Sequence, residues 1–158
     1  MNAWKQIRAV LLLPFMVTVV IPAAIVYSAR FKPIHPIRLV IGAALLVLGL
    51  TLLIATIKLF ATVGNGTLAP WNPTQKLVVR GIYRHVPNPM ITGVILILLG
   101  EAIICASLLG WAMLFIVVNM TYIPLVEEPG LVNRFGAPYE EYRRNVPRWI
   151  PRARAWGP

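Results

Sequence analysis

The sequence predicts an all-α integral membrane protein of about four transmembrane helices. The last two form a helical hairpin, and a Pro-rich polar segment and short amphipathic C-terminal helices share one side of the membrane. Three observations lead there. Of 158 residues, 58% are hydrophobic and 13% charged, and mean hydropathy is +0.74, whereas a soluble domain is about half apolar and a quarter charged. Residues 9–29 and 39–57 are uncharged runs of 21 and 19 residues, matching the roughly 20 that a helix needs to cross about 30 Å of hydrocarbon. Residues 85–126 form a 42-residue interval whose only formal acid or base beyond His85 is Glu101.

The first span, about 9–29, follows Lys5 and Arg8, and Tyr27-Ser28-Ala29 weakly resembles a signal-cleavage site. Its apolar run is longer than a signal core of 7–15 residues, so an anchored helix is expected. Pro14 and Pro22 inside it predict kinks that neighbouring helices tolerate. The second span is about 39–60. As one helix the 42-residue interval would run roughly 63 Å, twice the membrane. It must turn back, and Ser107-Leu108-Leu109-Gly110-Trp111 is the expected corner, with Gly110 relaxing the backbone and Trp111 at the interface. The third and fourth spans are then about 90–108 and 111–126, and the whole chain, 1–158, reads as one membrane-embedded domain.

Orientation follows from the basic residues. With four spans, Lys5, Arg8, Lys58, Lys76, Arg80, Arg84, Arg134, Arg143, Arg144, Arg148, Arg152 and Arg154 share a side, against Arg30, Lys32 and Arg38 opposite. Twelve against three places both termini and the polar segments 61–89 and 127–158 in the cytoplasm. The net charge of +10 does not predict nucleic-acid binding, because the basic residues punctuate apolar runs and build no soluble basic face. The single Cys105 excludes an internal disulfide.

In the first polar segment, Pro70, Pro73, Pro87 and Pro89 forbid a continuous helix. Gly64-Asn65-Gly66-Thr67-Leu68-Ala69 spells a dinucleotide-type fingerprint, but it follows a membrane helix and Pro70 stops the helix that such a site requires, so that meaning is discarded. The second segment opens on Glu127-Glu128. Then Leu131, Phe135, Tyr139, Tyr142, Val146 and Trp149 recur at three- or four-residue steps, with Gly136 as a helix C-cap and Pro138 in a first turn. Two short amphipathic helices on the membrane surface are expected.

Few residues here can carry chemistry. Glu127 and Glu128 are either solvated headgroup-level acids or a carboxylate site for a cationic group at the membrane edge. Glu101 falls about eleven residues into the third span, where a carboxyl is costly; hydrogen bonding to Asn119 of the fourth span is its expected role. His85 and Asn88 flank Pro87 at the mouth of the third span, where a histidine can contact a cofactor or accept a proton. His35 lies in the opposite loop. With no Asp and no paired histidines, neither a metal site nor a Ser-His-acid triad is expected.

The order of the polar motifs resembles a known family. Gly64-Asn65-Gly66-Thr67 with Ala69-Pro70 comes first, then Leu77-Val78-Val79, Gly81, Tyr83-Arg84, Val86 and Asn88-Pro89-Met90 with Gly93. Glu127-Glu128 with Leu131 follows, then Phe135-Gly136, Tyr139 and Tyr142, and last Val146-Pro147-Arg148. Over roughly residues 60–151 this is similar to the isoprenylcysteine carboxyl methyltransferase and phospholipid methyltransferase superfamily, in a short bacterial-type version. The resemblance implies a multi-span enzyme of the bacterial inner membrane that transfers a methyl group from S-adenosylmethionine to a lipophilic acceptor. It implies cofactor contacts at Leu77, Val78, Tyr83, Asn88, Pro89, Met90 and Glu127, with Ile91 and Glu128 beside them. Pro87 stands where the family usually has Arg and Ile91 where it often has Tyr, which leaves the acceptor class open. A carboxylate acceptor needs no base; for an amine, His85 or Glu128 would accept the proton. The competing classes are a small proton-coupled transporter built on Glu101 and a non-catalytic membrane scaffold related to the methyltransferases.

Overall fold

The computed structural model describes residues 11–29, 34–59, 77 and 79–157; the Gly64–Ala69 fingerprint, Val78 and the basic residues Lys5, Arg8, Arg30, Lys32 and Lys76 lie outside the described residues. All regular structure among the described residues is helical, as expected of an all-α membrane protein.

Helix α1 begins as a loosely wound π segment, Leu11–Val20, and continues as the α-helical Ile21–Ser28. Pro14 and Pro22 lack the N–H that regular winding needs, which favours the wider turns. In the π register the Val17 carbonyl would look to Pro22; instead it accepts a hydrogen bond from Trp111 Nε1 at 3.0 Å, tying α1 to the last apolar helix. Helix α2, Pro36–Leu59, is 24 residues long, about 36 Å and enough to cross the hydrocarbon. Helix α3 is Pro89–Ile104. Helix α4, Ala106–Phe135, runs for 30 residues and is also apolar and long enough to cross. Helix α5, Ala137–Asn145, is short and polar.

Helices α2 and α3 pack along a stripe of glycines. Gly42 meets Gly100 and Gly49 meets Gly93, so the two helices run antiparallel. Seven residues is nearly two turns, which keeps both glycines of a helix on one face. A Cβ at Gly49 would stand 2.5 Å from the Gly93 carbonyl, so this backbone approach requires glycine. The other apolar core joins Val94, Leu98 and Ala102 of α3 to Leu108 and Ala112 of α4, with Val26 and Phe115 packed against it. Away from these contacts Val40, Val47 and Ile54 of α2 and Leu114, Val117 and Val118 of α4 are exposed. Large apolar side chains in that quantity belong against lipid.

Three expectations are corrected. The α3–α4 corner is not at Ser107–Trp111. Cys105 is extended (φ −124°, ψ 103°), a tight 3₁₀ turn covers Ala106–Leu108, and Gly110 sits inside α4. The cause is packing: burying Leu108 against Ala102 and Ala112 requires the chain to reverse before it. Glu101 therefore lies in the last turn of α3 instead of mid-span. It does not meet Asn119, whose Nδ2 donates to the Phe115 carbonyl of its own helix at 2.9 Å. Finally, the helix expected to start afresh after Glu127 is the continuation of α4. Pro124 is absorbed by a wide turn over Ile123–Glu127, and α4 stops only at Gly136, whose φ of 62° and ψ of −141° suit glycine alone. Residues 106–126 rise about 31 Å, filling the hydrocarbon thickness, so Glu127 begins the part of α4 beyond it.

Candidate functional site

Three pieces of chain meet at the Glu127 end of the molecule: the stretch from Gly81 to the start of α3, the end of α4 with α5, and the C-terminal tail. Gly81–Arg84 forms a 3₁₀ turn. Pro87 and Pro89 prevent helix from propagating through His85–Asn88. Pro89 opens α3 and Asn88 precedes it with its side chain capping nothing; the Asn88 carbonyl accepts from Thr92 N and Oγ1 at 3.0 and 3.1 Å.

A small aromatic and apolar core holds these pieces. Tyr139, Tyr142 and Val146 are buried, with Leu77, Val79, Leu131, Phe135 and Trp156 packed around them. The Tyr142 hydroxyl donates to the Tyr83 carbonyl at 2.6 Å, and the Tyr142 and Trp156 rings lie tilted with centroids 5.7 Å apart. Burial pushes the Tyr83 phenol well above its usual range, with the neighbouring Tyr142 and Glu127 adding to the rise. Burial, then the charges of Glu128 and Glu127, push Tyr139 up to about 12, against the opposing pull of Arg143 and Arg148. These phenols are neutral donors at any physiological pH.

The tail straps the turn in place. Arg84 Nε donates to the Trp156 carbonyl at 2.6 Å and Nη2 to the Gly157 carbonyl at 3.0 Å, while Trp156 N returns a bond to the Arg84 carbonyl at 2.9 Å. Arg152 N donates to the His85 carbonyl at 2.9 Å, and His85 Nδ1 meets the Arg152 carbonyl at 2.7 Å. A carbonyl only accepts, so Nδ1 carries the hydrogen, and in the neutral ring Nε2 keeps the lone pair.

The two adjacent glutamates have different fates. Glu128 is 3% exposed and takes a two-pronged bond from Arg148, Nε to Oε1 and Nη2 to Oε2 at 2.8 Å, with Arg143 Nη1 a further 3.4 Å from Oε2. Its hydrogen bond holds the Arg148 guanidinium above its usual range. Glu127 is half-buried and has no hydrogen bond or ion pair among the described residues. Burial first, then the charge of Glu128, raises its carboxyl above the ordinary 4.5.

Of the site residues expected from sequence, the structure gathers Leu77, Tyr83 and the two glutamates around the tyrosine core. His85, Asn88, Pro89, Met90 and Ile91 follow in line to the first turn of α3, with Pro89 fully buried and Met90 and Ile91 half-buried. No hydrogen bond joins His85 to either glutamate among the described residues. The sequence offers Arg84 and Arg148 only as motif residues and assigns no role to Arg152 or Trp156, yet these four do the holding. One signal was there: a glutamate headed for burial needs a cation, and Arg148 closes the last polar motif. Among the described residues no three His, Cys, Asp or Glu side chains converge as metal ligands.

A sequence model described as phospholipid methyltransferase matches residues 37–138, from the start of α2 into α5, across the first polar segment and the opening of the second. Neither a curated protein nor a solved structure matches the chain. The match spans well over half of the chain and takes in the turn before α3 and the glutamate pair, so the protein belongs to the phospholipid methyltransferase family of membrane methyltransferases.

Proposed function

We propose that the chain is an S-adenosylmethionine-dependent methyltransferase acting at the cytoplasmic interface on a lipidic or isoprenoid-bearing acceptor that presents a carboxylate or an amine. The observation that carries this is the asymmetry of the glutamates: Glu128 is saturated by arginine, whereas Glu127, its neighbour, is left half-buried without a cation among the described residues. A partly desolvated carboxylate beside a neutral phenol fits a ligand bearing sulfonium and ammonium charges. Glu127 would balance those charges, and Leu77, Val78, Tyr83, Asn88, Pro89, Met90 and Ile91 would wall the ligand from water. When bound, S-adenosylmethionine supplies a methyl group activated by its sulfonium.

The chain's own task is alignment and proton handling. Both oxygens of Glu128 are committed to arginine, so the proton of an amine acceptor falls to His85 Nε2, whose tautomer the Arg152 carbonyl holds. A carboxylate acceptor would leave His85 a bystander. We further propose that α1 and α3 cross the bilayer along with α2 and α4, that residues 1–158 act as one membrane-embedded unit, and that the arginine-rich end faces the cytosol of a bacterial inner membrane.

Calorimetric titration of the detergent-purified protein with S-adenosylmethionine tests the proposal, alongside Glu127→Ala. Saturable binding that Glu127→Ala loses is expected. A folded wild type that binds none defeats it, and equal binding by the variant removes Glu127 from the site.

A further inference from the structure

The opposite end of the molecule holds a cavity of about 840 Å³ between α1, the beginning of α2 and the α3–α4 corner. It lies far from the transfer end. Glu101 follows Met90 by eleven residues of α3, about 16 Å along the axis. Because α2 and α3 run antiparallel through the Gly42–Gly100 contact, Arg38, one turn before Gly42, lies on the same side of that contact as Glu101, one residue past Gly100, and within about one helical turn of it along the axis. Both line the cavity, whose walls are otherwise mainly apolar, including Val19, Val26, Ile104 and Leu108.

The two charges share the cavity without pairing. Among the described residues no ion pair joins them, and Glu101 Oε2 is buried there with no hydrogen-bond partner. Asn119, the donor that the sequence offers, is satisfied within its own helix. A buried carboxylate oxygen lacking a donor costs free energy, and an ionisable group within an apolar membrane helix marks a binding place by default. The missing partner must bring N–H donors and positive charge for Glu101, an anion within a few atoms for Arg38, and an apolar body for the walls. The volume falls in the range of small-molecule sites.

We propose that this cavity binds a zwitterionic aminophospholipid from the leaflet opposite the transfer site, its primary ammonium on Glu101 and its phosphate on Arg38, with its chains against α1 and the corner. At about 16 Å from the start of α3 this lipid is beyond reach of the transfer end, so it is a bound structural lipid and not the acceptor. Lipid binding in the cavity does not depend on the methyl-transfer reading; only the statement that this lipid is not the acceptor rests on it.

The test is native mass spectrometry of delipidated protein in detergent, titrated separately with chain-matched phosphatidylethanolamine, phosphatidylcholine and phosphatidylglycerol. Phosphatidylcholine has the same charges but no N–H; phosphatidylglycerol has the phosphate but no cation. Wild type should retain phosphatidylethanolamine about tenfold better than either, the scale of a hydrogen bond to a charged group. Glu101→Gln, a near-isosteric change, should erase that preference. Arg38→Gln should weaken both zwitterions, with circular dichroism unchanged in each variant. Equal retention of the three lipids, a preference that survives Glu101→Gln, preference for phosphatidylglycerol, or no retention by a folded wild type would each overturn the proposal.

Discussion

Glu127 and Glu128 are neighbours in sequence and opposites in circumstance, and both follow from helical geometry. Successive residues on a helix point about 100° apart, so one carboxylate turns to the arginines of α5 and the tail while the other faces Tyr83. Among the described residues, Arg148→Ala would leave Glu128, 3% exposed, with only the longer Arg143 contact at 3.4 Å. A loss of about 3 kcal/mol in denaturant unfolding in detergent is expected. Arg143→Ala, whose side chain is 43% exposed, should cost less than about 1 kcal/mol. Glu127 sets a pH dependence. Its folded pKa is raised above 4.5, so its own contribution to stability is present below 4.5 and fades as pH rises through the folded value. Cation binding runs the other way because it needs the carboxylate. S-adenosylmethionine affinity should therefore fall as pH is lowered through that raised value, and Glu127→Gln should bind weakly with a flat profile. A wild-type affinity that does not change across that window counts against Glu127 as the ligand's partner.

Among the elements, the α2–α3 pair is the least tolerant of change. At Gly49 an added methyl would press into the Gly93 carbonyl at 2.5 Å, so two backbones must part and give up contact along the stripe. Gly49→Ala should destabilise the protein by about 1–3 kcal/mol, the cost of overpacking. Gly110→Ala is the control: nothing lies within 4 Å of that position, and alanine there should be neutral or gain up to about 1 kcal/mol of helix propensity. Unfolding midpoints of both variants in one detergent decide it; equal effects would mean that the stripe is not what holds the helices. The elements also show why the backbone freedom of Gly110 misplaced the corner. Gly110 is the more permissive residue, but Leu108 brings far more apolar area to the core, and burial outweighs local backbone preference.

At the scale of the whole molecule, the apolar helices position a polar end that the tail then closes. Arg84 and His85 are held by backbone and side-chain bonds to residues 67 to 73 positions away. Ending the chain after Pro151 removes the Arg152 and Trp156 partners together. Backbone amides of residues 83–86 should then lose hydrogen-exchange protection while those of α2 and α3 keep theirs. Unchanged protection of the turn would show that the tail lies on the site without supporting it.

The sequence by itself determined the class: uncharged runs of membrane length permit little except helices, since backbone groups in hydrocarbon must be satisfied internally. It also showed the polar motifs, the glutamate pair and the glycine and proline at the start of α5, because turn chemistry is local. The tertiary structure alone decided which glutamate is spent on arginine, which His85 nitrogen carries the hydrogen, where α3 ends, and that Glu101 faces a cavity instead of Asn119. Those outcomes depend on which faces are brought together by close packing of α2 on α3 and by closure of the tail over the turn. Contacts between residues tens of positions apart leave no period in the sequence, so no window along the chain could have displayed them.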